Sequence, residues 1–295
     1  MGQMHRSRIY VLSRKALSGC VFSNIRLIAS LWVLGLSFSL ILPAAGAKAQ
    51  ALPEIASAAR APLPDAPQPA AGRQEVTLRS VPSDILHDQA VIWTSPARIR
   101  LHDLVWLAPL GAASGIAIAT DRAAMRDVVS HDPGFTNGNI NASNALVGGF
   151  IAAPVAMYGY GFLEHHTHAR QAGILTGEAM VDGLVVEQGM KLIFWRERPN
   201  VDNYRGRFFQ SSVGIDSSFP SSHCVVAWSA AAAIAGEYPS RWTEAAAYTA
   251  ATGVSLTRVL GQEHFPSDVL VGSAAGWLVG HYVTHRHRWR WYKMH

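Results

Sequence analysis

Three short stretches carry residue types and spacings that suit the handling of an anion. The first is Lys191-Leu-Ile-Phe-Trp-Arg-Glu-Arg198-Pro199, in which Lys191 and Arg198 stand seven apart. On a helix that is two turns along one face, so both cations reach one point. Pro199 then ends the helix, because the residue before a proline is pushed out of the α region. The second is Phe219-Pro220-Ser221-Ser222-His223, followed at once by an apolar helical stretch. A helix N-terminus behind small hydroxyl residues presents free N–H groups and the positive end of the dipole, with His223 in the first turn able to reach an anion held there. The third is Thr257-Arg258-Val-Leu-Gly-Gln-Glu263-His264-Phe-Pro266-Ser-Asp268. Pro266 suits the first position of a new helix, which leaves His264 in the preceding loop and Asp268 one turn on. A carboxylate so placed can accept a hydrogen bond from one imidazole nitrogen and leave the other free to attack. Each piece alone has a plainer reading: Lys191 paired with Glu187 on a solvated face, Ser221 as a simple N-cap, and His264 with Asp268 as a turn-stabilising pair.

The elements that must position these residues are helical. Beyond about residue 98, apolar segments alternate with Gly- and Pro-containing breaks, and almost none shows the period of two that a strand requires. Six helices are expected, at about 102–125, 142–163, 174–197, 221–236, 241–259 and 266–286. Their apolar runs are mostly shorter than the roughly 20 residues a bilayer requires. Ala230 to Ala233 and the glycines at 272, 276 and 280 permit close helix approach in water or in lipid. Ahead of the body, five cations between Arg6 and Arg26 precede an uncharged run from Leu27 to Ala47, and Ala45, Ala47 and Ala49 offer A-x-A cleavage sites. Residues 1–49 therefore read as a signal peptide or a retained membrane anchor, and 50–97 as an Ala/Pro-rich linker and lead-in. Residues 98–286 form the helical domain. The basic-aromatic tail that closes the chain (287–295, led in by His285 and Arg286) reads as an anchor at an anionic membrane surface.

Taken together, K-x6-RP, PSSH and TR-x5-H-x3-D resemble the three-part signature of the type 2 phosphatidic acid phosphatase (PAP2) superfamily, which includes bacterial class A acid phosphatases and vanadium haloperoxidases. Ser222 stands where the usual form has glycine, and Thr257 where it has serine. The resemblance implies an all-α fold, a six-helix bundle of the PAP2 type preceded by the signal or anchor segment. It implies that Lys191, Arg198 and Arg258 clamp the phosphoryl oxygens, helped by Ser221 and the backbone at Ser222. His264, oriented by Asp268, would be the nucleophile, and His223 would protonate the leaving oxygen. No metal or other cofactor is required, since three cations and a helix terminus neutralise the charge. Glu164-His165-His166-Thr167-His168 is the one metal-like patch noted, and its plainer reading is a solvated helix end.

Composition narrows the partners. Of 295 residues 49% are hydrophobic and 15% charged, which excludes extensive disorder. The formal charge of +5 is misleading: from Gln50 onward 19 basic residues face 20 acidic ones, a balance that gives no hint of a basic face for nucleic acid. Cys224 is alone beyond Cys20, so no disulfide forms in a processed chain. The expected protein is an exported phosphomonoesterase of the cell envelope, acting on a phosphorylated lipid or a small phosphate ester at the periplasmic or outer face. A haloperoxidase using the same pocket for vanadate, and an inactive envelope-binding protein, are the alternatives. Whether the helices span the inner membrane or form a periplasmic bundle lying on it stays open.

Overall fold

A computed structural model describes residues 76–210 and 217–293, with side chains through residue 287. The signal or anchor segment lies outside the described residues, as do the tail side chains beyond His287. Among the described residues there are seven α-helices and no strand: α1 (Val81–Thr94), α2 (Leu104–Ala123), α3 (Pro133–Leu163), α4 (Thr167–Phe194), α5 (Ser222–Glu237), α6 (Arg241–Leu260) and α7 (Pro266–Lys293). The six expected helices correspond to α2 to α7, and α1 is an addition within the expected lead-in.

Helix ends depart from expectation for identifiable reasons. α3 begins nine residues before 142, because Asp132 accepts a hydrogen bond from the Phe135 amide at 2.8 Å and Pro133 occupies the first turn. That cap carries the helix through the Asn- and Gly-containing stretch at 134–141, whose propensity alone is poor. α4 starts where His166 Nδ1 accepts from the Ala169 amide at 3.2 Å. It stops at Phe194, where Trp195 turns left-handed at φ 39°. Arg198 is therefore off the helix, and it does not share a helical face with Lys191 as the spacing predicts. α7 continues to Lys293, so the expected tail is a continuation of that helix, and Arg286 and His287 turn inward rather than outward.

α5 is the central helix: none of its residues is exposed, and Ala230 to Ala233 are buried. One side packs with Val147, Phe150, Met180 and Val254, while Ala233 joins a second cluster with Leu175, Ala179, Val279 and Val283. Against α7 the contact is backbone to backbone. A Cβ at Gly272 would fall 2.9 Å from the Ser221 carbonyl oxygen, and one at Gly276 or Gly280 would collide with the carbonyl of Val225 or Ser229. The outermost helices have the opposite character. Residues Leu101–Val128 and Pro133–Leu163 are 28 and 31 residues long, apolar, and long enough to cross a bilayer. Leu101, Val105, Ile116, Val155 and Leu163 are exposed on them. Such a continuous apolar surface is not sustained in water, and it marks a membrane protein.

Candidate active site

The three stretches converge on the start of α5. The Phe219–Pro220 peptide is cis, and Ser221 occupies the N-cap position with its amide donating to the Asp268 carbonyl at 3.1 Å. Its hydroxyl does not cap the helix, however: Ser221 Oγ is buried without a hydrogen-bond partner. Lys191 does pair with Glu187, at 2.9 Å, but on a buried face rather than a solvated one. The same ammonium donates to Ser222 Oγ at 3.0 Å, and that hydroxyl donates to Glu187 Oε1 at 2.5 Å. Ser222, the departure from glycine, is thus the side chain that ties α4 to α5. Thr257 contributes nothing to this centre, because its hydroxyl bonds back to the Gly253 carbonyl at 2.7 Å.

Arg198 and Arg258 come together on one carboxylate oxygen. Arg198 Nη1 lies 3.0 Å and Arg258 Nη2 3.1 Å from Glu263 Oε2. Arg258 is buried and its Nε has no partner. Glu263, which the sequence reading passed over, therefore holds by its own charge the two guanidiniums an incoming anion would need. Replacing it with Gln leaves those cations less satisfied, and inorganic phosphate should then bind about tenfold more tightly, near 1.4 kcal/mol. A competitive inhibition constant for phosphate in Glu263→Gln equal to that of the native protein would refute this competition.

His264 is almost fully buried, and its Nδ1 sits 2.8 Å from the Ser218 carbonyl oxygen. A carbonyl only accepts, so Nδ1 carries the proton and Nε2 keeps its lone pair. The direct bond to Asp268 expected from the sequence is not made: Asp268 Oδ2 is 3.8 Å away, too far for a hydrogen bond. That oxygen instead accepts from Ser218 Oγ at 2.5 Å and from the Phe265 amide at 2.9 Å, so Asp268 fixes the loop that holds the imidazole. Burial pushes the His264 pKa below the usual histidine value, with Arg258 and Arg198 adding to the effect and Asp268 opposing it.

His223 lies in the first turn of α5, and its Nε2 is 3.0 Å from Asn144 Oδ1 on α3. Burial, then the charges of Arg258, His264, Arg198 and Lys191, push its pKa down to about 3. The charges that act on this ring, itself in the second sequence stretch, come from the first and the third. Negative charge arriving among them would raise the value again.

The sequence reading gives no role to one buried residue of the first stretch. Arg196, inside Lys191-to-Pro199, is buried and donates to Asp268 Oδ1 at 2.5 Å, Asp121 Oδ2 at 2.7 Å, Ser267 Oγ at 2.6 Å and the Gly206 carbonyl at 3.1 Å. Its guanidinium also lies over the rings of Phe208 and Phe265. Only the odd density of arginines before Pro199 could have pointed to it. The histidine-rich stretch at 165–168 is structural: His166 caps α4, and His168 stands 3.3 Å from Glu237 Oε2.

The helical bundle thus brings paired arginines and a buried imidazole with a free lone pair to one place. Residues 172–292 match the family model of the PAP2 superfamily. The lipid A 1-phosphatase of Porphyromonas gingivalis is 41% identical over 66 residues, a match that covers 22% of this chain and 15% of the relative. Among solved structures, a transmembrane PAP2-type phosphatidylglycerolphosphate phosphatase from Bacillus subtilis aligns with a TM-score of 0.41 at 18% identity, over 70% of this chain and 94% of that one.

Proposed function

We propose that the protein is a metal-independent lipid phosphate phosphatase working through a phosphohistidine. The observation that carries this reading is the convergence of Arg198 and Arg258 on a single oxygen, beside an imidazole whose Nε2 is unprotonated. In this reading Lys191, Arg198 and Arg258 hold the non-bridging oxygens, with Ser221 Oγ and the amides at the start of α5, Ser222 among them, donating to them. His264 Nε2 attacks phosphorus as the ester oxygen departs, and that oxygen takes a proton from His223. Substrate charge is what readies His223, since it offsets the burial and the cationic field that otherwise keep the ring neutral. Water then loses a proton to His223 and displaces His264, releasing phosphate. A lipid substrate is favoured over a soluble ester by the apolar helices α2 and α3, which keep the site at a membrane, with an envelope location following from the N-terminal segment.

Arg198→Lys should lose about 10- to 100-fold in kcat/KM although charge is kept, because an ammonium cannot grip two oxygens as a guanidinium does. An unchanged kcat/KM would reduce Arg198 to a structural charge. The reading as a whole is tested by phosphate release from lipid A, phosphatidylglycerophosphate and a soluble aryl phosphate. Micromolar vanadate should inhibit as a mimic of the five-coordinate transition state. Vanadate-dependent halide oxidation by peroxide, at a rate comparable to hydrolysis, would make the protein a haloperoxidase instead.

A further inference from the structure

Away from the site just described, α1, α4 and α7 enclose four carboxylates. Glu178 and Asp182 lie one turn apart on α4, where like charges repel. Asp84 and Asp88 face them from α1, and all four are buried. Only one full cation is shown among them. Arg286 Nη2 pairs with Asp84 Oδ1 at 2.5 Å, and Arg286 Nη1 pairs with Asp88 Oδ1. Three further groups hold one oxygen each: Gln89 donates to Asp182 Oδ1 at 2.8 Å, Tyr282 to Asp88 Oδ1 at 3.1 Å, and His287 Nε2 stands 3.1 Å from Glu178 Oε1. The second oxygen of three carboxylates is left over. Asp88 Oδ2, Glu178 Oε2 and Asp182 Oδ2 are each buried and each without a partner, on residues no more than 1% exposed. Asp88, Glu178 and Asp182 each also present a carboxylate oxygen to a group whose members lie within 4.8 Å of one another.

We propose that Asp88, Glu178 and Asp182 bind a hard divalent cation, Ca²⁺ or Mg²⁺, which fastens α1 to the bundle. Buried charge left uncompensated is costly enough that proteins pair it, protonate it or place a metal on it. A shared proton engages two oxygens and leaves the third orphaned, whereas a cation engages all three. An all-oxygen set selects hard ions, and Ca–O lengths near 2.4 Å make a coordination sphere about 5 Å across, the span this group already has. Mg²⁺, with a sphere about 4 Å across, would draw the carboxylates inward. The site is separate from the proposed chemistry, since Asp182 and Lys191 stand nine residues apart along α4, about 13 Å.

The test uses the full-length protein in detergent micelles, stripped with EDTA and desalted. Metal content by elemental analysis and thermal unfolding by tryptophan fluorescence are read without added ion and with millimolar Ca²⁺, Mg²⁺ or Zn²⁺. The expected result is one Ca²⁺ or Mg²⁺ per chain and a rise in Tm of roughly 5–10 °C. Glu178→Gln and Asp182→Asn should each abolish that rise, whereas Asp127→Asn, at an exposed carboxylate paired only with Arg126, should keep it. If the cluster variants fail to fold, stoichiometry and ion-dependent melting of the native chain still decide the question. No bound ion and no shift, with Asp182→Asn more stable than the native protein, would mean that protons neutralise the cluster. Preference for Zn²⁺ would point to the neighbouring Asp84, Glu178 and His287 group and overturn the all-oxygen site. Phosphate release at a temperature below the ion-free transition should survive stripping, so a failure of this site and a failure of the metal-independent mechanism are told apart.

Discussion

His264→Asn should hydrolyse phosphate esters at least on the order of 10⁴-fold more slowly than the native protein, at unchanged substrate affinity within a few-fold. Asparagine is the informative replacement. The sequence places His264 in a loop, where truncation would cost the fold little, but the structure buries the ring and gives its Nδ1 to the Ser218 carbonyl. Alanine would leave that carbonyl unsatisfied and open a cavity, a loss of about 1–3 kcal/mol that could pass for lost chemistry. An asparagine amide can still donate to Ser218 while offering no nucleophilic nitrogen. Melting within a few degrees of native together with near-native turnover would remove His264 as the nucleophile.

Arg196→Lys is expected to be the most damaging conservative change in the chain. The lysine keeps one charge but reaches only one carboxylate, leaving either Asp121 or Asp268 buried and unpaired. Breaking such a pair costs about 3–5 kcal/mol, a fall in Tm on the order of 10 °C for a chain of this size. Residual activity measured below the transition should fall mainly in kcat, because Asp268 loses the contact that fixes the His264 loop while the substrate-holding arginines remain. A melting temperature within 2 °C of native would show that the network around Arg196 contributes little.

The helices α2 to α7 were legible because each carries a long apolar run between breakers, and the proposed clamp residues because their spacing is unusual. What escaped was held by polar contacts that no local pattern announces. α1 adds to the packing of Val81 and Ile92 the polar contacts of Gln89, Asp84 and Asp88, and its tie to α7 spans some 200 residues of chain. The early start of α3 depends on one aspartate side chain. Pro199 points to an end of α4 near 197, but the chain turns left-handed at Trp195 and the helix stops three residues sooner, while the His166 cap starts it seven residues earlier than expected. Asp268 was assigned the right neighbourhood but the wrong partner. Sequence spacing places it one turn from His264, and only tertiary structure supplies the Ser218 hydroxyl that takes its place.

The three glycine notches of α7 act as an index between two machine parts. With Gly272, Gly276 and Gly280 seated on the carbonyls of Ser221, Val225 and Ser229, α5 can neither slide nor rotate on α7 without a steric step. Serines 221 and 222, His223, His264 and Asp268 therefore travel as one block whose internal alignment is set before any substrate arrives. Lys191 and Arg198 lie outside that block, on α4 and the chain beyond it, which meets the block through side chains, Lys191 on Ser222 and Arg196 on Asp268. Adjustment to phosphate esters of different girth should then fall on those side-chain contacts rather than on the α5–α7 register. Enzymes built on this frame should differ in what they accept through the segment after α4, while the α5–α7 register stays constant.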